Sequence, residues 1–266
     1  MIEKWTILNL PCREDRRYIS TSGALRMQVP EEKIRFWHGY DIADFENFEQ
    51  AEEAVRQDMP ELLNIEEEVR FAEQGKFLML WNVARYLREL ASKNRIEAFV
   101  HDGLMLVKEF CPSFAWFEDV VGEIISFDPN FKMLTVCPNN GWYGQLKKID
   151  PITPSSFITR GVLSWDNFAR VYSSAGAEVV LARIKTQTWS ARANSVLVPR
   201  HEDTEGWAEG FYSTILPLGS DYPNAWLGSN SMPEQWQGMR DDFKRLFSEA
   251  GHQLSVLGSR LQEGVD

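Results

Sequence analysis

A strand, a helix and a second strand follow one another within the first 40 residues, and nothing else in the chain restricts the fold so much. Residues 5–10 (WTILNL) are a short apolar run rich in β-formers that stops at Pro11, the pattern of a buried strand. A polar loop over 12–17 precedes a helical stretch over 18–27, which Pro30 ends. Residues 34–38 (IRFWH) then form a second strand, closed by Gly39-Tyr40-Asp41. This order predicts a βαβ unit and a parallel sheet.

The pattern continues as a mixture of helices and strands. Residues 46–73 are acidic and helical in period, with Pro60 dividing them, and Glu49, Glu52, Glu53, Glu61, Glu66, Glu67 and Glu68 read as a solvated face. In 76–92, Phe77, Leu80, Trp81, Ala84, Leu87 and Leu90 share one helical face, which marks them as core. Residues 97–107 (EAFVHDGLMLV) read as one strong strand interrupted at His101-Asp102-Gly103. Shorter strands are expected at 124–127, 133–137, 168–173 and 195–198, with a helix at 177–185 after Gly176. Residues 139–144 (NNGWYG) and 200–232 read as loops, and 234–250 as a helix. The simplest account is a single α/β domain over 1–250, with a mixed central sheet flanked by helices, and a tail over 251–266.

Composition narrows the function. Of 266 residues, 28 are Lys or Arg and 39 are Asp or Glu, a net charge of −11. Such a molecule repels phosphate backbones, which argues against nucleic-acid binding. No apolar run reaches the length of a membrane span, and the first residues lack the pattern of a secretory leader. Cys12, Cys111 and Cys137 are sparse and unspaced for metal. They read as reduced, core-packed thiols of a cytoplasmic protein.

Some residues are placed for chemistry. Asp102 breaks an apolar strand, where a carboxylate needs a cation or hydrogen-bond donors. It reads equally as a ligand-site acid or as a turn cap. Arg13, Arg16 and Arg17 follow the first strand with Glu14 and Asp15 among them. Guanidinium forks match phosphate oxygens, and a surface ion-pair cluster is the alternative. Glycine-rich phosphate loops and a serine nucleophile elbow are absent, which sets kinase, NTPase, dinucleotide and serine-hydrolase readings aside. Residues 201–205 (HEDTE) precede a segment dense in aromatics. They could supply a general base, cap a helix, or form a hydrolase centre in which His201 and Asp203 share a metal.

Taken in order, several segments resemble glycosyltransferase family 25, the lipopolysaccharide and collagen glycosyltransferase group. Ile7-Leu8-Asn9-Leu10 with Arg13, Asp15, Arg16 and Arg17 is similar to the family's opening strand and R-x-D-R. Residues 36–41 (FWHGYD) match its second strand and acidic turn, although Ile42 follows the acid where the family has Gly. Residues 99–106 (FVHDGLML) stand at its E-D-D motif, and 170–181 (RVYSSAGAEVVL) at its A-Y-x-x-S-x-x-G-A segment. Tyr212 to Ser231 is faintly similar to its closing region.

The resemblance spans about residues 5–232. It implies a GT-A-like (Rossmann-like) nucleotide-diphospho-sugar transferase fold and a nucleotide-sugar donor, UDP-linked, with a glycan or small molecule as hydroxyl acceptor. It also implies that Asn9, Arg13, Arg16, Asp41 and Asp102 bind the donor. Asp102 and His101 would hold a divalent cation (Mn or Mg). Apart from the resemblance, Asp203 is the expected catalytic base, because it precedes the aromatic loop that would hold an acceptor sugar. Where the family has E-D-D, this chain has His101-Asp102-Gly103. The alternatives are then metal-independent transfer, an acid recruited from elsewhere, or a catalytically inactive nucleotide- or glycan-binding protein on the same fold.

Overall fold

The computed structural model describes residues 1–65, 67–72, 74–102, 104–106, 113–136, 158–160, 169–186, 209–214 and 219–221. The chain opens with β1 (Lys4–Asn9), α1 (Glu14–Arg26) and β2 (Ile34–His38), the expected βαβ unit. It continues through α2 (Phe48–Asp58), α3 (Glu67–Ala72) and α4 (Gln74–Ala91) to β3 (Ile96–His101). Then come β4 (Leu104–Leu106), α5 (Phe114–Phe127), β5 (Met133–Thr135), β6 (Ile158–Arg160), β7 (Ala169–Ser173), α6 (Ser174–Thr186), β8 (Phe211–Thr214) and β9 (Gly219–Asp221).

Seven strands form a mixed sheet in the order β2-β1-β3-β7-β5-β8-β6, and β4 pairs with β9 in a separate two-stranded ribbon. Strands β1, β2 and β3 are mutually parallel, β7 runs against β3, and β8 is parallel to β5. Side chains alternate across this sheet, as strand geometry requires. Trp5, Ile7, Ala98, Val100, Leu134, Val171 and Tyr212 pack with α1 and α5. Leu8, Phe99, Met133, Tyr172 and Phe211 pack with α2, α4 and α6 on the other face. The six α4 residues read as one face are all buried. At about 1.5–3 kcal/mol for each fully buried large side chain, packing rather than helix propensity docks α4.

One carboxylate is sunk into that α4 side of the sheet. Glu97 is 0% exposed and accepts from Thr6 Oγ1 at 2.9 Å and Tyr86 Oη at 3.1 Å. Arg35 stands 3.4 Å away, and Arg95 pairs with the other oxygen. A buried charge persists only with such partners.

The structure corrects several expectations. Helix α1 begins at Glu14, four residues earlier than expected, so Arg16 and Arg17 lie in its first turn rather than in a loop. Residues 124–127 are the last turn of α5, not a strand: Phe114, Phe117, Val120, Val121 and Ile124 follow a helical period, and Ser113 caps the start. The run 97–107 is two strands of different sheets, divided at Asp102. Residues 211–214 and 219–221, read as loop, are strands. Cys12 is exposed rather than core-packed. The expectations for 139–144, 195–198, 234–250, 251–266, Cys111 and Cys137 lie outside the described residues. Among the described residues, no helix is long and apolar enough to cross a membrane.

Candidate functional site

The three parallel strands end at one edge, with Asn9 in register with His38 and Leu8 with His101. The chain passes from β1 to β2 on one side and later crosses to β3 on the other, so the strand order reverses at β1. Open α/β sheets take ligands at the carboxyl ends of their strands, at such a reversal of strand order.

Asn9 knots this edge. Its Nδ2 donates to Asp102 Oδ2 at 2.9 Å and to the Arg13 carbonyl at 3.2 Å. Its own carbonyl accepts from Gly39 N at 3.1 Å, and Asp102 N donates to the Leu8 carbonyl at 3.1 Å. One buried amide therefore links the loops after β1 and β3, and its main chain links the loop after β2. With both amide hydrogens engaged and the residue buried, Asn9 positions its neighbours.

Asp102 has only 3% of its side chain exposed, while Arg16 has 42%. Arg16 Nη1 lies 3.3 Å from Asp102 Oδ1, and His101 Nδ1 lies 3.4 Å from the same oxygen. Burial pushes the Asp102 carboxyl up. The hydrogen bond and charge of His101, the Asn9 amide and the Arg16 guanidinium outweigh it and hold the group below its ordinary value. Asp102 is thus an ionised, hydrogen-bonded anchor for a half-exposed guanidinium. Arg13 is half-buried, and Arg17, exposed beside Arg16 in the first turn of α1, lies over the Phe36 ring at 4.3 Å.

Divalent Mn and Mg ions need carboxylate lone pairs. Here one Asp102 oxygen accepts an amide and the other faces two nitrogens. A dication placed about 4 Å from a guanidinium would meet a repulsion of roughly 8 kcal/mol at an effective dielectric constant of 20. This donor set suits a carboxylate that holds cations of the protein itself and does not fit a metal ligand. Among the described residues, no group of three or more His, Cys, Asp or Glu is assembled to hold a metal ion.

Of the expected site residues, Asn9, Arg16, Asp102 and His101 come together. Asp41 follows β2 on the same edge, where Oδ1 accepts from Ala43 N at 3.1 Å in a capping box with Asp44. Asp203 and His201 lie outside the described residues. The sequence reading passed over Tyr40 and Asn82. The buried Asn82 clamps the Tyr40 peptide, accepting from its N–H at 2.8 Å and donating to its carbonyl at 2.9 Å. The Tyr40 ring stacks on Trp81 at 4.9 Å, with Arg85 at 4.8 Å. Arg85 is 5.4 Å from Trp81, so these three centres make a nearly equilateral triangle. Arg85 therefore sits beside Trp81, not on the opposite face of Tyr40, a residue 39% exposed. The reading also missed Asp221, whose backbone pairs with Leu104, two positions past Asp102. The periodicity of α4 pointed to its apolar face, but an Asn within a helix carries no sequence signal for a clamp.

Comparison with protein-family models and with curated proteins gives no match.

Proposed function

We propose that the chain is a glycosyltransferase of GT-A-like, Rossmann-like architecture that uses a nucleotide-sugar donor, UDP-linked, and a hydroxyl of a glycan or small molecule as acceptor. The observation that carries this reading is the joining of Asn9, Arg16 and Asp102 at the reversal of strand order between β1 and β3. There Arg16, with Arg13 beside it, faces the donor's diphosphate. The guanidiniums stabilise the charge that develops on the leaving diphosphate, the term that usually contributes most to such catalysis. Tyr40, fixed by Asn82, offers a ring face for the nucleobase, and Asp41 lies one residue beyond it. An inverting transfer needs a carboxylate to take the acceptor's proton; Asp203 is the candidate base.

The engagement of both Asp102 oxygens supports the second reading, a nucleotide-binding protein without transferase activity. A thermal-shift titration separates these from an unrelated function. UDP at a hundredfold its Kd adds about 2.7 kcal/mol of stability, a rise of roughly 5–10 °C in Tm for a chain of this size. Tyr40→Ala should remove most of the shift and Tyr40→Phe little of it. UDP-sugar hydrolysis or transfer then distinguishes enzyme from binding protein. No shift with any nucleoside diphosphate or nucleotide sugar would overturn both.

A further inference from the structure

We propose that the diphosphate at this edge is bound without a divalent cation, with the Arg16 guanidinium occupying the electrostatic role of the metal and Asp102 acting as its positioning residue. The inference rests on the reading that the ligand is a nucleoside diphosphate, and it names how that ligand is held.

A carboxylate offers about four lone-pair sites. At Asp102, Oδ2 accepts from Asn9 at 2.9 Å, and Oδ1 faces Arg16 at 3.3 Å and His101 at 3.4 Å. The Asn9 amide cannot turn away to admit a cation without also releasing the Arg13 carbonyl at 3.2 Å. That would loosen the loop that starts α1. The main chain of Asp102 is fixed as well, through Leu8. Each contact that would have to break for a metal to enter is one that shapes the edge.

Arg16 is built for the opposite use. A guanidinium carries five N–H donors in a planar fork, and the Asp102 contact employs Nη1 alone. With 42% of the side chain exposed, the residue is not enclosed by the protein, and the carboxylate takes only part of the fork's donor capacity. Anchoring one nitrogen of an arginine and leaving the others uncommitted to that carboxylate presets the bidentate geometry that phosphate oxygens match. A lysine cannot reproduce it, because its ammonium is a point charge without the fork.

Calorimetric titration of the full chain with UDP tests this, once in EDTA and once in excess Mg²⁺. The expected Kd values agree within about threefold. Arg16→Ala, a change on an exposed helical turn, should weaken UDP at least tenfold in both buffers, and Arg16→Lys should recover only part of that. Asp102→Asn should weaken UDP severalfold in the parent chain and have no further effect in the Arg16→Ala background, which a merely structural aspartate would not show. In parallel, the chain should leave the electron paramagnetic resonance signal of free Mn²⁺ unchanged. Tenfold tighter UDP binding in Mg²⁺ than in EDTA, or loss of the Mn²⁺ signal that Asp102→Asn abolishes, overturns the inference while leaving the nucleotide reading intact. Absence of UDP binding by the folded chain in both buffers overturns the nucleotide reading and this inference with it.

Discussion

Replacing Glu97 by Ala should destabilise the fold through the groups it orphans. The carboxylate is wholly buried and receives Thr6 Oγ1, Tyr86 Oη and two arginines. Removing one partner of a buried ion pair costs about 3–5 kcal/mol. Arg35 and Arg95 keep 24% and 18% of their side chains exposed, and this residual solvation places the expected loss near the lower end, about 3 kcal/mol. At roughly 2–4 °C per kcal/mol, Tm falls by about 6–12 °C. In urea, the midpoint drops while the slope m is unchanged. Tyr86→Phe provides the internal control. Burial, then the adjacent Glu97 charge and hydrogen bond, keep the Tyr86 hydroxyl protonated far above its ordinary range, so it donates at any working pH. Its loss alone should cost about 1–2 kcal/mol, and clearly less in the Glu97→Ala background, since residues in one network are not additive. A Glu97→Ala loss below about 1 kcal/mol, or full additivity with Tyr86→Phe, would refute the claim that this carboxylate ties β3 to α4 and β2.

Acid should destabilise the protein with a predictable sign. Burial raises the carboxyls of Asp102 and Asp58, but His101, Asn9 and Arg16 for the first and Arg88, Trp81 and Arg85 for the second more than reverse it, leaving both below their ordinary values. A depressed folded value means that the stabilisation is complete above the unfolded value, about pH 4, and is lost as pH falls through the folded value. Urea midpoints measured from pH 6 to pH 2.5 should decline below about pH 4, and less steeply for Asp102→Asn; a flat profile contradicts the assignment. Gly176→Ala should destabilise the fold by about 3 kcal/mol or more, because its Cβ would overlap the Lys132 carbonyl. Gly23→Ala, in open space within α1, should stabilise by about 0.5–1 kcal/mol. Equal effects in thermal melts would contradict the packing of α6 on β5. Finally, Glu97→Gln should lower Tm and leave UDP affinity unchanged, whereas Asp102→Asn should weaken UDP more than it lowers Tm.

Local pattern carried the amino-terminal unit. The run 5–10 and the stop at Pro11 located β1 to within a residue, and the 3.6-residue period of α4 gave its buried face. Pattern was less informative where one property serves two structures. The apolar residues Ile124 and Ile125 look alike in a strand and in the last turn of α5, and the helical reading needs the cap at Ser113. Residues 97–107 looked continuous because burial alone makes a strand apolar, while the sheet to which each half belongs is set by distant partners, β1 for β3 and β9 for β4. At the candidate site, the oddness of Asp102 inside an apolar run was legible. Its pairing with Asn9 was not, because 93 residues separate them and only the parallel register of β1 and β3 brings them side by side. The Tyr40 clamp was hidden for the same reason.

Strand β3 is bracketed by buried carboxylates, Glu97 near its start and Asp102 just past its end, and the contrast between them gives a physical criterion for the site. Glu97 lies deep on the α4 face, and its arginines are themselves largely covered. An external anion would have to strip them of both their carboxylate and their packing, so that end can only stabilise. Asp102 is as deeply buried, yet its guanidinium partner is nearly half exposed. There the carboxylate supplies orientation and the arginine keeps donors for something else. The two buried acids are therefore told apart not by their own burial, which is nearly the same, but by how much of the paired cation remains open to solvent. By that measure, the proposed recognition falls at the edge where β1, β2 and β3 end, and cohesion at the opposite one.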